Sequence, residues 1–295
     1  MEYFWLKFDD VPNDEERGEA EREEREVERE RERERRSRER ELRERLGENQ
    51  RAREKLWASF TMDELRWALK QTANTAPGED GLTAQMLKSL SPRGLDRILE
   101  VLNKSRETGE VPRAWKRGKI ILLPKPGRDL KDLKNWRPIC LTSVLGKILE
   151  RLINRRLMWH LEASGYFLEQ QHGFRWNRST QDALAEFVGE LRRALQSGET
   201  VAVLHLDVEA AYTSVDIKIL MKDLKELQLP EGMLRWFANY FKDRMVKVHL
   251  GKNCETKDIE MTRGLMQGSV LSPTLWNIFA RNLLNGLENT VVGGA

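Results

Sequence analysis

Asp207 is the first residue whose setting suggests chemistry. It closes the apolar run VAVLHLD at residues 201–207, and such a run predicts a buried β-strand with the carboxylate at the sheet edge. Ala210 and Ala211 follow with small side chains that leave backbone N–H groups accessible, and Tyr212 adds an aromatic ring. A carboxylate, open amides and an aromatic wall can together hold Mg²⁺ and a triphosphate. The alternative is an aspartate that caps a turn at the strand end.

The loop GLMQGSVLSP at residues 264–273 is a second candidate. Its two glycines let the backbone come close to a flat ligand, and Gln267 offers both a hydrogen-bond donor and an acceptor. A hairpin or a strand-to-helix turn would explain the same residues without any ligand.

Cationic side chains form a third group of candidates. Lys125 in LPKPG and Arg137 in NWRPI lie about a dozen residues apart on short predicted strands, which fits a hairpin that brings both cations to one anion. Arg175 and Arg178 flank Trp176 in QQHGFRWNRST, and cations interleaved with an aromatic ring suit nucleic-acid backbone and base stacking. Both sets are also compatible with ordinary surface cations.

The elements that would position these residues are predicted from caps and periodicity. Thr61 followed by Glu64 is a capping box, and Ser91-Pro92 places a cap before a proline at the first helical position. GKIILLPKPG and NWRPICLTS predict two short strands, and MVKVHL with KDIEMTR predicts a β-pair. Further helices are predicted to begin at Ser143, Ser179, Asp216 and Pro230, with a last one over TLWNIFARNLLNGL. The mixed order of strands and helices indicates an α+β fold.

Composition excludes several classes of protein. The chain has 295 residues and a formal net charge of +3, and 32 of the 42 residues from Asp14 to Lys55 are charged. That run predicts a solvated helix or disorder, and the globular part begins near residue 56. No apolar run approaches the ~18 residues that a transmembrane helix needs, and the first residues lack a signal-peptide pattern. Two cysteines make no disulfide framework and show no zinc spacing with histidine, which favours an intracellular location without distinguishing nucleus from cytoplasm. No P-loop or GxGxxG motif is present.

Charge is distributed unevenly along the chain. Residues 56–178 carry 22 basic and 13 acidic residues, a net charge of 22 − 13 = +9, whereas residues 179–295 carry 13 and 15. A basic first half beside a mildly acidic second half suits a polyanion held near a carboxylate site. A solvated charged surface is the alternative.

Taken in order, these motifs resemble the reverse transcriptase of non-LTR (LINE-type) retrotransposons. The segments that carry the resemblance, over roughly residues 57–289, are FTMDELRWALKQTANTAPGEDGLTAQMLK, VPRAWKRGKIILLPKPG, NWRPICLTSVLGKILERLINRRL, QQHGFRWNRSTQDAL, LHLDVEAAYTSV and GLMQGSVLSPTLWNIF. The resemblance implies a right-hand polymerase fold with fingers and an incomplete palm. The implied divisions are a charged segment at 1–55, an N-terminal helical extension at 56–112, fingers at 113–200 and palm at 201–295.

The resemblance implies a metal and triphosphate site around Asp207. That carboxylate would bind two catalytic Mg²⁺ ions, with Mn²⁺ as the alternative metal, and the carbonyl of Val208 would be a further ligand. The amides of Ala210 and Ala211 would hold the triphosphate. Tyr212 would act as a steric gate against a ribose 2′-OH, which would favour dNTPs over rNTPs.

The resemblance also implies contacts on the other sides of the nucleotide. Lys125 and Arg137 would clamp the phosphates, and Gln267 with Gly268 would lie against the incoming sugar and base. The expected partners are an RNA template, a DNA primer and dNTPs, with no membrane and with the oligomeric state left open. The residues expected to track the template are Arg175 and Arg178.

The implied activity is RNA-directed DNA synthesis on a primer 3′-OH by two-metal phosphoryl transfer. The family's second metal-binding element, an aromatic-x-Asp-Asp motif, would follow the last predicted helix, and the sequence ends at Ala295 before it. We therefore expect a fragment with little or no dNTP incorporation by itself. The alternatives are a non-catalytic nucleic-acid-binding remnant, a group II intron maturase-like or RNA-synthesising relative, and a degenerate fold whose charged run mediates assembly.

Overall fold

The structure, a computed structural model, describes residues 50–285 except 204, 252 and 253, together with a few positions between 29 and 44. The chain divides into two compact units, Met1–Glu48 and Asn49–Ala295. The second unit carries all the candidate site residues.

The described positions of the first unit are helical. Arg40 and Glu44 form an ion pair one turn apart, with 3.1 Å between Nε and Oε1, and this spacing stabilises an exposed helix weakly. The charged run is therefore helical at these positions, and most of its other residues lie outside the described part. Residues 286–295 also lie outside the described part.

Helices are the commonest regular structure in the described part of the second unit. In its described part they are α1 (Gln50–Leu56), α2 (Met62–Lys70), α3 (Ala84–Lys88), α4 (Pro92–Thr108), α5 (Val144–Ala163), α6 (Thr180–Gln196), α7 (Ala211–Ser214), α8 (Ile217–Glu226), α9 (Glu231–Phe241) and α10 (Ser272–Asn285). Among the residues that the structure describes, no helix has the length and apolar character needed to cross a bilayer.

Side-chain caps begin several of the long helices. Thr61 and Glu64 form the predicted capping box at α2, in which each side chain accepts the other residue's backbone N–H. Ser143 caps α5, and Asp216 caps α8. Gly109 ends α4 in the left-handed conformation with φ of 74°. The predicted helix starts at Thr61, Ser143 and Asp216 are confirmed, because a cap depends only on residues a few positions apart.

The strands of the described residues form one sheet. They are β1 (Arg117–Pro124), β2 (Trp136–Thr142), β3 (Met245–Gly251), β4 (Cys254–Glu255) and β5 (Ile259–Glu260). β1 and β2 pair antiparallel, with Ile120 opposite Cys140, so the predicted hairpin is confirmed. β3 runs parallel to β1 on its other side and pairs antiparallel with β4 and β5, with Val246 opposite Ile259. The predicted pairing of MVKVHL with KDIEMTR is therefore also confirmed.

The core of the second unit is built on α5. Its apolar face supplies seven side chains that are at most 1% exposed, and burying each one stabilises the fold by roughly 1.5–3 kcal/mol. Trp236 and Tyr240 of α9 stack in the same interior with ring centroids 5.1 Å apart. The seven apolar residues of α5 are Ile148, Leu149, Leu152, Ile153, Leu157, Met158 and Leu161.

The predicted strand over residues 201–207 is wrong. Residues 201–203 and 205–208 are irregular and exposed. A strand needs a neighbouring strand to pair with, and no described strand pairs with this segment. An apolar run indicates that a segment gains from burial and does not supply a partner strand. Asp207 therefore lies in an exposed irregular segment rather than at a sheet edge.

Candidate functional site

The Gln267 loop lies against the outer edge of β2. The backbone N–H of Cys140 donates to the carbonyl oxygen of Gln267 over 2.7 Å. Gly268 has a φ of 126°, and a Cβ atom there would stand only 2.5 Å from the carbonyl oxygen of Cys140. A glycine is needed at this position because both the φ angle and the space exclude a side chain. The side-chain amide of Gln267 is half-buried and makes no hydrogen bond to any described residue.

The same loop packs against the turn that carries Tyr212. The N–H of Leu265 donates to the carbonyl oxygen of Tyr212 over 2.8 Å. Gly264 has a φ of 79°, and a Cβ atom on it would stand 2.9 Å from the Cα of Thr213. Two glycines therefore let one loop contact both β2 and the Tyr212 turn, so the structure brings together the pieces around Gln267, Gly268 and Tyr212.

The ring of Tyr212 is held between two other aromatic rings. Trp276 of α10 meets it edge-on with centroids 6.4 Å apart, and Phe174 lies 6.5 Å away with the planes inclined by 38°. Burial raises the pKa of Tyr212 above its usual 10.0, which keeps the phenol neutral at physiological pH. The result is a fixed, neutral aromatic wall beside the Gln267 loop.

Asp207 and Val208 precede this turn in an exposed segment. Asp207 makes no hydrogen bond or ion pair within the described part of the chain, so both carboxylate oxygens are available to a ligand. Ala210 then adopts a left-handed conformation, with φ of 56° and ψ of 38°, and Ala211 begins the short helix α7. Five residues can span at most about 17 Å, so the Asp207 Cα lies within that distance of the Tyr212 Cα.

The described residues offer only a partial fit to a metal site. They contain no group of three or more His, Cys, Asp or Glu side chains placed to hold a metal ion. A free carboxylate and an adjacent carbonyl are hard oxygen ligands of the type that Mg²⁺ accepts. Asp207 and Val208 therefore suit two positions of a divalent cation whose other ligands come from elsewhere.

Lys125 and Arg137 lie at the end of the β1–β2 hairpin where residues 125–135 connect the two strands. Arg137 pairs with Leu123, and the N–H of Lys125 donates to the carbonyl oxygen of Asn135 over 2.8 Å. Because Lys125 follows Leu123 by two positions, the side chains of Lys125 and Arg137 lie on the same face of the hairpin. The ammonium group of Lys125 donates to the carbonyl oxygen of Lys134 over 2.8 Å. Arg137 is exposed and makes no hydrogen bond or ion pair among the described residues. Arg137 is thus the freer of the two predicted phosphate ligands.

Arg175 is occupied by contacts within the protein. Its guanidinium binds the carboxylate of Glu162 in a fork, with Nε–Oε1 and Nη2–Oε2 distances of 3.1 and 2.7 Å. Its Nη1 donates to the carbonyl oxygens of Leu168 and Gln171, and the side chain is only 9% exposed. Four of the five N–H groups of the guanidinium are used, so this side chain stabilises the loop and has little left for a template strand.

The exposed side chains of that loop are its aromatic residues. Phe174 and Trp176 are 53% and 45% exposed. Arg178 is half-buried directly before Ser179, the residue that caps α6. Phe174 reaches Tyr212, whereas Trp176 and Arg178 remain available at the surface beside it.

Sequence reasoning missed the buried carboxylate of Glu150 on α5. It is 3% exposed and accepts from Ser269 and Val270, the two residues that follow Gly268. The sequence signal was an acidic residue inside the apolar run ILERLI, where a solvated glutamate would not be expected.

Comparison with known proteins places the chain in a family. Residues 123–293 match the family described as reverse transcriptase (RNA-dependent DNA polymerase). The chain belongs to the reverse transcriptase family. The resemblance to enzymes of non-LTR retrotransposons is confirmed, and the α+β fold is the one that the resemblance implies.

The relatives are polymerases of mobile elements. The chain is 32% identical over 235 residues, or 79% of its length, to the retrovirus-related Pol polyprotein from type-1 retrotransposable element R2 of Popillia japonica. It is 30% identical over 228 residues, or 77% of its length, to the RNA-directed DNA polymerase from mobile element jockey of Drosophila melanogaster. These matches cover 31% and 25% of the relatives, so the chain spans about a quarter to a third of their length.

Proposed function

We propose that this chain forms the fingers and part of the palm of an RNA-directed DNA polymerase that adds dNTPs to a primer 3′-OH on an RNA template. The observation that carries the proposal is the packing of the Gln267 loop between β2 and the Tyr212 turn. This packing presents an unpartnered amide beside an aromatic wall. The divisions proposed for the chain are an N-terminal extension at 56–112, fingers at 113–200 and palm from 201 onward.

The nucleotide would lie on the Gln267 loop. Gln267 and Gly268 would face its sugar and base, and Tyr212, held by Trp276 and Phe174, would exclude a ribose 2′-OH. A rigid gate discriminates well because the added hydroxyl has no room to move into.

The triphosphate would lie between the hairpin and the Tyr212 turn. Arg137, which has no partner among the described residues, would bind phosphate oxygens in a fork, whereas Lys125 would have to exchange its bond to the Lys134 carbonyl for one to phosphate. The N–H groups of Ala210 and Ala211 would add uncharged donors.

The proposed metals are Mg²⁺ ions, for which Asp207 and Val208 would supply a carboxylate and a carbonyl oxygen, with Mn²⁺ as the alternative. When bound, such ions lower the charge on the transferring phosphoryl group and favour the attack of a primer oxygen. The chain's own contribution is to keep Asp207 free of competing hydrogen bonds.

The template would pass the aromatic loop beside Tyr212. Trp176 would stack on a base and Arg178 would bind the backbone, while Arg175 would keep the loop in shape. The net charge of +9 over residues 56–178 would attract the polyanion from a distance.

Formation of a nucleotide-selected complex tests the proposal without requiring turnover. A dye-labelled DNA primer on an RNA template is bound to the chain with Mg²⁺, and the lifetime of the complex against a heparin trap is measured with each dNTP. The complementary dNTP should lengthen the lifetime, and D207N should abolish that effect. D96N, a substitution of an exposed aspartate on α4, is the matched control and should behave as the unchanged chain.

A non-catalytic nucleic-acid-binding role is the second candidate. It is favoured by the absence of a clustered carboxylate site among the described residues and by the exposed cation Arg137. In that case the template would bind with a steep salt dependence, and neither dNTP nor D207N would alter the lifetime of the complex.

A further inference from the structure

Glu150 is a buried acid with three hydrogen-bond donors arranged around it. The hydroxyl of Tyr240 donates to Oε1 over 3.0 Å, and the hydroxyl of Ser269 donates to Oε2 over 2.8 Å. The backbone N–H of Val270 donates to Oε2 over 2.7 Å. These donors come from two separate parts of the chain, the helix α9 and the loop that begins α10, so the carboxylate joins three elements at one point.

Glu150 makes no ion pair with any cation in the described part of the chain. Burial raises its pKa, and the hydrogen bonds from Ser269, Val270 and Tyr240 oppose that rise. A buried carboxylate without a cation is costly unless donors satisfy its oxygens. Loss of either the donors or the carboxylate would leave buried polar groups without partners, so their relative geometry is rigid.

Tyr240 is itself fixed before it reaches Glu150. Its ring stacks on Trp236 with centroids 5.1 Å apart, and the indole N–H of Trp236 donates to Ser105 over 3.2 Å. The hydroxyls of Tyr240 and Ser269 are also 3.0 Å apart. The loop is thus attached to a rigid interior rather than to a mobile surface group.

The Gln267 loop is held at two points on either side of Gly268. On one side the N–H of Cys140 binds the carbonyl of Gln267, and on the other side Glu150 binds Ser269 and Val270. Gly268, with no side chain, would otherwise allow the backbone to swing between these points. With both hydrogen-bonded attachments in place, the loop backbone that carries the Gln267 side chain has one orientation.

We infer that Glu150 is a positioning residue for Gln267: it fixes the loop from inside the core and so sets where the Gln267 amide faces. The loop attachment stands on the hydrogen bonds alone. That the amide faces an incoming nucleotide rests on the proposed function.

Amide hydrogen exchange measures the attachment directly. E150L replaces the carboxylate with an apolar group of similar size, so Val270 and Ser269 lose their acceptor. Losing one buried hydrogen bond is expected to speed exchange of the Val270 and Cys140 amides by about tenfold or more. E150Q keeps an acceptor for the Val270 N–H and supplies a donor to the hydroxyls, so it should restore protection to within about twofold.

Two further variants separate positioning from general destabilisation. L157A opens a cavity at a fully buried residue of the same helix, about 10.5 Å along its axis from Glu150, and should lower the unfolding midpoint without selectively exposing the loop. S269A removes one donor and leaves the acid in place, so its effect on the loop should fall between those of E150Q and E150L. It remains informative if E150L does not fold.

The outcomes distinguish this inference from the proposed function. The positioning role would be overturned if amide hydrogen exchange in the loop were unchanged in E150L and S269A. It would also be overturned if this exchange rose as much in L157A or E150Q as in E150L. If E150L exposes the loop and E150Q restores it while no dNTP prolongs the template complex of the unchanged chain, the proposed function fails and the loop anchor stands. If both hold, E150L should weaken the dNTP effect while template affinity stays the same.

Discussion

Phe174 lies against Tyr212, with ring centroids 6.5 Å apart and planes inclined by 38°. It reaches this place from a left-handed backbone with φ of 54°, a conformation that costs a non-glycine residue on the order of 1–2 kcal/mol. More than half of the side chain is exposed, so burial does not compensate for that cost. In this conformation Phe174 contacts Tyr212, and the two rings lie on one wall of the proposed site.

The preference for a dNTP over the matching rNTP should depend on Tyr212 and Phe174. Y212A should reduce the preference for a dNTP over the matching rNTP by about tenfold or more, because the wall that excludes a 2′-OH is removed. F174A should reduce it by less, since Trp276 still supports the ring. The measurement is the lifetime of the template complex with each nucleotide, and unchanged selectivity in both variants would count against the gate.

The two hairpin cations should contribute unequally. R137A should weaken the dNTP effect more than K125A, because the Lys125 ammonium already has an acceptor in the Lys134 carbonyl. Each loss should shrink as salt is added. K104A, a substitution of an exposed cation on α4, is the control and should leave nucleotide binding unchanged. A larger loss of the dNTP effect in K125A than in R137A would contradict the unequal contributions expected of these two cations.

Close packing of the Gln267 loop predicts a steric effect at Gly268. G268A forces a Cβ atom to 2.5 Å from the carbonyl of Cys140, so it should lower the unfolding midpoint and remove the dNTP effect. G251A provides the matched comparison, because Gly251 has a similar φ of 140° with no neighbouring atom within 4 Å. G251A should therefore show only the cost of placing a non-glycine residue at a positive φ. Equal effects of the two variants, measured by thermal unfolding, would mean that the contact with β2 is unimportant.

The two arginines of the aromatic loop should separate stability from binding. R175A leaves the largely buried Glu162 carboxylate unpaired and should lower the free energy of unfolding by on the order of 3 kcal/mol. R178A should weaken template binding and reduce its salt dependence, with little effect on stability. Denaturant unfolding and fluorescence anisotropy measure the two quantities. Weaker template binding by folded R175A, with no loss of stability, would return the template role to Arg175.

Asp223 predicts a pH dependence of stability. Burial, and to a lesser extent Glu226, raises its pKa from the usual 3.8 to about 6, while Lys222 opposes the rise. Between these values the folded state holds a proton that the unfolded chain has lost. The contribution of this group is therefore fully present below about pH 4 and is lost as pH rises to about 6.

D223N removes that titration. Its unfolding midpoint, compared with that of the unchanged chain, should improve from about pH 4 to about pH 6 and then level off, because the variant has no carboxylate to ionise in a buried place. Oδ2 of Asp223 has no partner among the described residues, so no hydrogen bond of that oxygen is sacrificed. D96N should show no such trend, and parallel curves for D223N and the unchanged chain would contradict the assignment.

The sequence was informative wherever structure depends on near neighbours. Thr61 with Glu64 and Asp216 with the first turn of α8 form caps within three residues, and the β1–β2 hairpin needs only a short connection. The apolar run at 201–207 failed as a predictor because a strand also depends on a partner far along the chain, and no described strand pairs with that segment.

Tertiary contacts explain what sequence reasoning missed. Glu150 finds its donors 90 and 119 residues away, at Tyr240 and Ser269, so no local pattern announces them. Arg175 looked like a free cation because its partner Glu162 lies on a preceding helix. The candidate residues Tyr212, Gln267 and Gly268 could be chosen from the sequence, but their packing against β2 required the fold.

Metal-directed backbone cleavage tests whether Asp207 holds a metal ion beside the bound nucleotide. Fe²⁺ replaces Mg²⁺ in the complex of the chain with primer, template and complementary dNTP, and ascorbate with peroxide generates hydroxyl radicals at the bound ion. We expect cuts beside Asp207 and Val208 and at the Gln267 loop, dependent on the dNTP and absent in D207N. Cuts that avoid both segments, or that persist unchanged in D207N, would contradict a nucleotide site built on this aspartate.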